Sequence, residues 1–341
     1  MDFSPIRGVR WGLLALTCWS GLLVSALAWG QGNTVNESAL PKVSVSIAPL
    51  HSWVSMVSGD LWEPELLLPA ESDPHNALLR PSQRRVIVDA DWILWLGPQL
   101  ETGLEALMRR VDSDRLWTMS DPTADGPRLT LHEFRTAGTL LTTPTDAHEH
   151  SGPDIDFPGD GSDSHRRDNG QLSTDPHLWL DPSNAKQALS HIADKLSELD
   201  PDHAETYQAN AERSIERLET ARADWQQRLD AAEPLSYLVF HDGYQYFDQA
   251  FGLTFAGAVT LNPEQLPGLR TINRMREGIS EGELGCLFAE VQYSDRLVQT
   301  IGTGFGLEIQ RIDALGAGID TGPEHYFLLM DQWVDAFAAC R

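Results

Sequence analysis

Positive charge is scarce in this chain: 25 Lys and Arg stand against 50 Asp and Glu in 341 residues, a formal charge of −25 at pH 7. Such a balance repels nucleic acid and anionic lipid surfaces, so neither is expected as a partner. Long apolar runs are equally scarce, since none follows the one inside residues 1–30, and the mature protein is expected to be soluble. Three catalytic signatures are missing too. There is no His-Glu-x-x-His motif, no Gly-x-Ser-x-Gly elbow and no nucleotide-phosphate loop. An enzyme is not expected.

The single apolar run has a meaning of its own. Arg7 and Arg10 precede the stretch from Trp11 to Trp29, and Ala26-Leu27-Ala28 fits a small-residue cleavage site. Residues 1–30 therefore read as a secretory signal peptide, the alternative being an uncleaved anchor. Thr17 before Cys18 is a poor match to a lipoprotein cleavage box, which argues against a lipid anchor. Cleavage removes one of the three cysteines and leaves Cys286 and Cys340, an even pair in an oxidising compartment. A disulfide is expected, closing a loop worth roughly 4 kcal/mol on the chain-entropy model.

A chain of 341 residues exceeds what one core usually serves, so two lobes are expected. Val43–Leu50, Glu65–Pro69 and Ala90–Leu96 are strand candidates with helical patterns between them; after Pro234 the pattern restarts with Leu235–Phe240, Leu253–Ala258, Cys286–Val291 and Leu307–Ile312. That alternation implies α/β lobes with mainly parallel sheets. Between them, Asp200-Pro201 supplies a helix start, and Ala204, Tyr207, Ala211, Ile215, Leu218, Trp225 and Leu229 form one apolar stripe on a helix running to Pro234. It reads either as a connector between lobes or as an ordinary surface helix of one of them. The expected layout is an N-terminal lobe over 41–199, a connecting helix over 200–233 and a C-terminal lobe over 235–341. Within the first lobe, residues 146–168 interleave His148, His150 and His165 with many Asp, Gly, Ser and Pro. This segment reads as a solvated loop: either an acidic linker or a weak collector of divalent cations.

Candidate ligands fall where strand-like runs meet loops. His75 follows Asp73-Pro74, His177 opens Leu-Trp-Leu, His241 closes Tyr-Leu-Val-Phe, and Asp313 follows Ile-Gln-Arg-Ile. Three imidazoles and a carboxylate suit zinc, whereas manganese prefers more oxygen. Copper, iron and cobalt share much of that preference. His51, His132, His191, His203 and His325 lack such a context and read as structural or solvated, while Trp92 and Trp95 read as core. Glu290 and Gln292 are placed at the rim, from where they can hydrogen-bond a ligand imidazole.

Several motifs occur in a fixed order: Ser-Ile-Ala-Pro-Leu-His51-Ser, Leu-Leu-Pro69, Asp73-Pro74-His75, Leu79-Arg80-Pro81-Ser82, Asp-Pro-His177-Leu-Trp-Leu-Asp-Pro, Val-Phe-His241-Asp-Gly-Tyr-Gln-Tyr-Phe, Phe-Ala-Glu290-Val-Gln and Ile-Asp313-Ala-Leu-Gly. In these the chain, from about Val43 to Arg341, resembles the metal-specific periplasmic binding proteins of ABC importers, most closely the zinc-uptake (ZnuA) type. The resemblance implies two Rossmann-like α/β lobes joined by a long rigid helix, with the metal in the interlobe cleft. It implies His75, His177 and His241 as ligands with Asp313 as fourth group, and a Cys286–Cys340 disulfide. It further implies a monomeric periplasmic carrier that hands Zn²⁺ to a membrane permease driven by a cytoplasmic ATPase.

Two positions depart from the pattern. Ala314 stands where the family commonly has Pro, which leaves water, Glu71 or Asp73 as alternatives to Asp313. Residues 146–168 are richer in Asp than in His. Other functions compatible with the residues are a metal-dependent adhesin or zinc buffer, a manganese or iron carrier, and a zinc hydrolase using an open fourth position.

Overall fold

The computed structural model describes residues 40–124, 126–135, 174–234, 236–260, 284–291 and 293–340. The expected signal peptide, Gln292 and the segment 146–168 with His148, His150 and His165 lie outside these residues.

The first lobe carries β1 (Val43–Val45), α1 (Ala48–Ser58), β2 (Glu65–Leu66), α2 (Pro81–Asp89), β3 (Trp92–Trp95), α3 (Glu105–Met108), β4 (Leu116–Thr118) and α4 (Pro182–Leu199). Its four strands are parallel in the order β2-β1-β3-β4. After α5 (Ala204–Ala232), the second lobe carries β5 (Ser236–His241), α6 (Gln245–Phe251), β6 (Phe255–Thr260), β7 (Leu284–Glu290), α7 (Asp295–Phe305), β8 (Glu308–Ile312) and α8 (His325–Ala339). It repeats the arrangement, with four parallel strands in the order β6-β5-β7-β8. The α/β expectation holds in both lobes.

Three local readings change. The run from Val43 to Leu50 is not one strand: β1 stops at Val45 and α1 begins at Ala48, because Pro49 sits in the first helical turn, where its missing N–H costs nothing. Leu178–Leu180 form a 3₁₀ turn rather than a strand. All three side chains are buried, so the run is apolar on every side and has no period to distinguish the two states. The Asp200 side chain caps no backbone N–H. Its carboxylate instead accepts from His203 Nδ1 at 2.7 Å and from the Tyr207 hydroxyl at 2.8 Å, and α5 starts at Ala204.

The stripe on α5 buries Tyr207, Ala211, Leu218, Trp225 and Leu229. This face packs on α1 and α4 in the first lobe and on α8 in the second, so α5 joins the two rather than decorating one. The last helix also crosses over. Tyr326 in α8 stacks edge-on against Trp53 of α1 at 5.5 Å and donates its hydroxyl to the Trp179 carbonyl at 2.9 Å. One continuous core therefore spans both lobes, with Trp53, Trp179, Trp225 and Trp333 all within it. Trp92 and Trp95 lie in β3 and are buried, as expected. Cys286 in β7 and Cys340 after α8 form the disulfide, with 5.7 Å between their Cα atoms. None of the described helices is long and apolar enough to cross a membrane.

Candidate metal centre

His75 sits in the short turn Pro74–Asn76 beyond β2, at the carboxyl side of the first sheet. Asp73 Oδ1 accepts the His75 N–H at 3.0 Å, and the Thr102 hydroxyl donates to the His75 carbonyl at 2.9 Å. That second contact needs Gly103, where a Cβ would lie 2.0 Å from the Ala77 oxygen. Two loops are thereby pressed together behind the imidazole.

His177 is held by Asp175, whose Oδ1 accepts both its backbone N–H at 2.9 Å and its Nδ1–H at 2.7 Å. With Nδ1 donating, Nε2 carries the lone pair. Gln245 Nε2 donates to the other Asp175 oxygen at 2.8 Å. Burial pushes the Asp175 carboxyl up, but the charge and hydrogen bonds of His177 and the bond from Gln245 outweigh it and leave the group below its ordinary range.

His241 is the last residue of β5, and its Nδ1 lies 3.4 Å from Oε1 of Glu290, the last residue of β7. Burial lowers the affinity of His241 for a proton, but the hydrogen bond and charge of Glu290, with Asp242 and Asp175 behind it, raise it above the ordinary value on balance. Both His177 and His241 are buried, at 5 % exposure.

The ligand atoms of His75, His177 and His241 all lie within 4.8 Å of one another. A tetrahedral zinc with three imidazoles at ~2.0–2.1 Å needs nitrogens about 3.3–3.4 Å apart, so closing by roughly 1–1.5 Å suffices. The three line one cavity of about 240 Å³, together with Glu71, Asp73, Glu290 and Asp313. Such a volume fits an ion and a few waters rather than an organic ligand, whose pockets run to ~300–1,000 Å³.

Asp313 follows β8 and faces the same cavity, but it stands outside the cluster formed by the three histidines among the described residues. Its carboxylate accepts three backbone N–H groups, from Leu315 at 2.8 Å, Gly316 at 2.9 Å and Ala317 at 2.6 Å. Glu71 and Asp73 line the same cavity.

The remaining described histidines have other partners. His51 Nδ1 is paired with the Ser55 hydroxyl at 3.2 Å, and burial above all holds its proton affinity down. His325 Nε2 meets the Leu315 carbonyl at 2.8 Å, His191 packs edge-on to Trp117 at 4.7 Å, and His132 packs at a tilt against Tyr246 at 4.6 Å. Sequence reasoning missed Asp175, Gln245 and Asp242 around the site. Asp175 had a visible signal, a carboxylate two residues before a candidate ligand, whereas Gln245 becomes relevant only once α6 is folded against the first lobe.

A family model described as the periplasmic zinc-uptake complex component A matches residues 43–340. A high-affinity zinc uptake system protein ZnuA from Brucella abortus is 32% identical over 311 residues, covering 87% of this chain and 91% of that protein. The protein of the same name from Paracoccus denitrificans is 32% identical over 323 residues, covering 93% and 97%. A crystal structure of ZnuA superposes with a TM-score of 0.67 at 21% identity, over 89% of this chain and 99% of that one.

Proposed function

Because the chain belongs to the family of periplasmic zinc-uptake component A proteins, we propose that it captures Zn²⁺ in the periplasm and delivers it to an ABC permease with its cytoplasmic ATPase. The chain acts as a monomeric carrier, not an enzyme. Lobes over 41–199 and 235–341, with a connector over 200–233, present the two halves of the cleft. One observation carries this reading: three imidazoles from both lobes bring their ligand atoms within 4.8 Å of one another in a cavity of ionic size.

His75, His177 and His241 bind the ion through neutral nitrogens, and Asp313 supplies the fourth group. Its carboxylate is already aimed by three backbone N–H groups, so ligation adds an ion to a fixed oxygen pair. The charge balance supports a cation: Asp175, Asp242 and Glu290 are all buried around the histidines. Two imidazoles held by carboxylates are the usual way a protein presents histidine to zinc.

Equilibrium dialysis against zinc tests the assignment. The chain is expected to hold one tight ion, each of His75→Ala, His177→Ala and His241→Ala to lose most of that affinity, and Asp313→Ala to lose less. Unchanged tight binding in all three histidine variants would overturn it.

A further inference from the structure

The segment just after Thr130 connects the lobes in a way that zinc coordination alone does not require. Thr130 is tied to α4 of the first lobe, its N–H and carbonyl bonded to the Asn184 side chain at 2.7 and 3.0 Å. A few residues on, the same strand of chain is gripped by the second lobe. The Tyr246 hydroxyl accepts the His132 N–H at 3.0 Å and donates to the Asp175 carbonyl at 2.8 Å, and Gln245 donates to the Glu133 carbonyl at 3.0 Å.

At the end of this stretch, the Arg135 side chain is 12 % exposed and reaches three places in the second lobe. Its guanidinium bonds Asp242 Oδ1 at 3.1 Å, pairs with Asp248 in α6, and lies 3.7 Å over the ring of Phe255 in β6. Asp248 is also held by the Tyr237 hydroxyl of β5 at 2.9 Å. Asp242 is the residue directly after His241. A first-lobe cation thus fixes the backbone that carries one ligand, while Asp175 and Gln245, in the adjoining network, fix another.

Resting on the zinc-carrier reading, we propose that Arg135 is a positioning residue: it clasps the lobes together and sets the distance of His241 from His177. The guanidinium fork is what the task needs, because two carboxylates on different elements must be met at once, and a lysine ammonium is a single point charge.

Charge and position make opposite forecasts here. Removing a half-buried cation beside Asp242 makes the cleft more negative, which by Coulomb attraction alone would strengthen zinc binding. Loss of the clasp weakens it.

The test uses the mature chain with Arg135→Lys and Arg135→Met, measuring zinc release into excess chelator and the visible absorption of the Co²⁺-loaded protein, which reports ligand geometry. Release from both variants is expected to be faster, by on the order of 10-fold or more for Arg135→Met and less for Arg135→Lys, with a changed Co²⁺ spectrum. If Arg135→Met does not fold by circular dichroism, Arg135→Lys decides alone. Release from Arg135→Lys as slow as in the parent chain, or slower release from Arg135→Met, would overturn the proposal. Failure of the parent chain itself to retain zinc would instead strike the carrier reading.

Discussion

Asp175 and His177 are joined twice by one oxygen: Asp175 Oδ1 accepts the backbone N–H and the ring Nδ1–H of His177, at 2.9 and 2.7 Å. The double attachment fixes both where the imidazole starts and which way it faces. Glu290 holds His241 more loosely, at 3.4 Å. The two carboxylates therefore rank. Asp175→Asn is expected to cost roughly 10–100-fold in zinc affinity, with Glu290→Gln nearer the lower end. Competition with a chelator of known affinity measures both, and a larger loss from Glu290→Gln would reverse the ranking.

Glu101 makes stability depend on pH. It is fully buried, its Oε2 accepting the N–H groups of Leu96 at 2.9 Å and Gly97 at 3.1 Å. Burial pushes its carboxyl up to about 7, and the Ser46 hydroxyl and these backbone donors only partly counter it. Between the ordinary 4.5 and about 7 the folded chain holds a proton that the unfolded chain has lost. The contribution of Glu101 to stability in this window falls as pH rises, with a slope of at most about 1.4 kcal/mol per pH unit. Urea denaturation of the zinc-free parent chain and of Glu101→Gln at several pH values should differ by that slope, the variant's stability falling less as pH rises. An equal slope in both proteins would contradict the assignment.

The disulfide and the metal centre are separable. Cys286 and Cys340 lie outside the histidine cluster and hold α8 to β7. Replacing both by serine is expected to lower stability by roughly 4 kcal/mol on the loop-entropy model, leaving zinc affinity within about twofold. Denaturant melts and dialysis on one preparation check both halves of the statement. A parallel collapse of zinc binding in a folded variant would refute it.

His241→Glu exchanges a nitrogen donor for a charged oxygen. The gap between zinc and manganese dissociation constants should narrow without inverting, since manganese stays the weaker binder in most sites. Competition titrations of both metals on both proteins measure the gap, and an unchanged gap would remove His241 from the ligand set.

Much of this was legible in the sequence where side chains repeat with a period. The α5 stripe of Tyr207, Ala211, Leu218, Trp225 and Leu229 is buried as its spacing implied, because a helix can hide only one face. His241 ends β5 and Asp313 follows β8, as their apolar runs suggested. β4 was missed because Leu116–Thr118 sits between Ser113-Asp114-Arg115 and Ser120-Asp121, with no longer apolar run to mark it. Leu178–Leu180 misled because burial on all sides erases the alternation that marks a strand. The Arg135–Asp242 pair was invisible for another reason: its partners lie 107 residues apart and meet only when the lobes do.

The most direct test of the account is X-ray absorption at the zinc edge of the chain loaded with one equivalent of metal. Three nitrogens at about 2.0–2.1 Å with imidazole scattering, plus one oxygen, are expected from His75, His177, His241 and Asp313. A shell of oxygens without the imidazole signature would contradict the three-histidine centre.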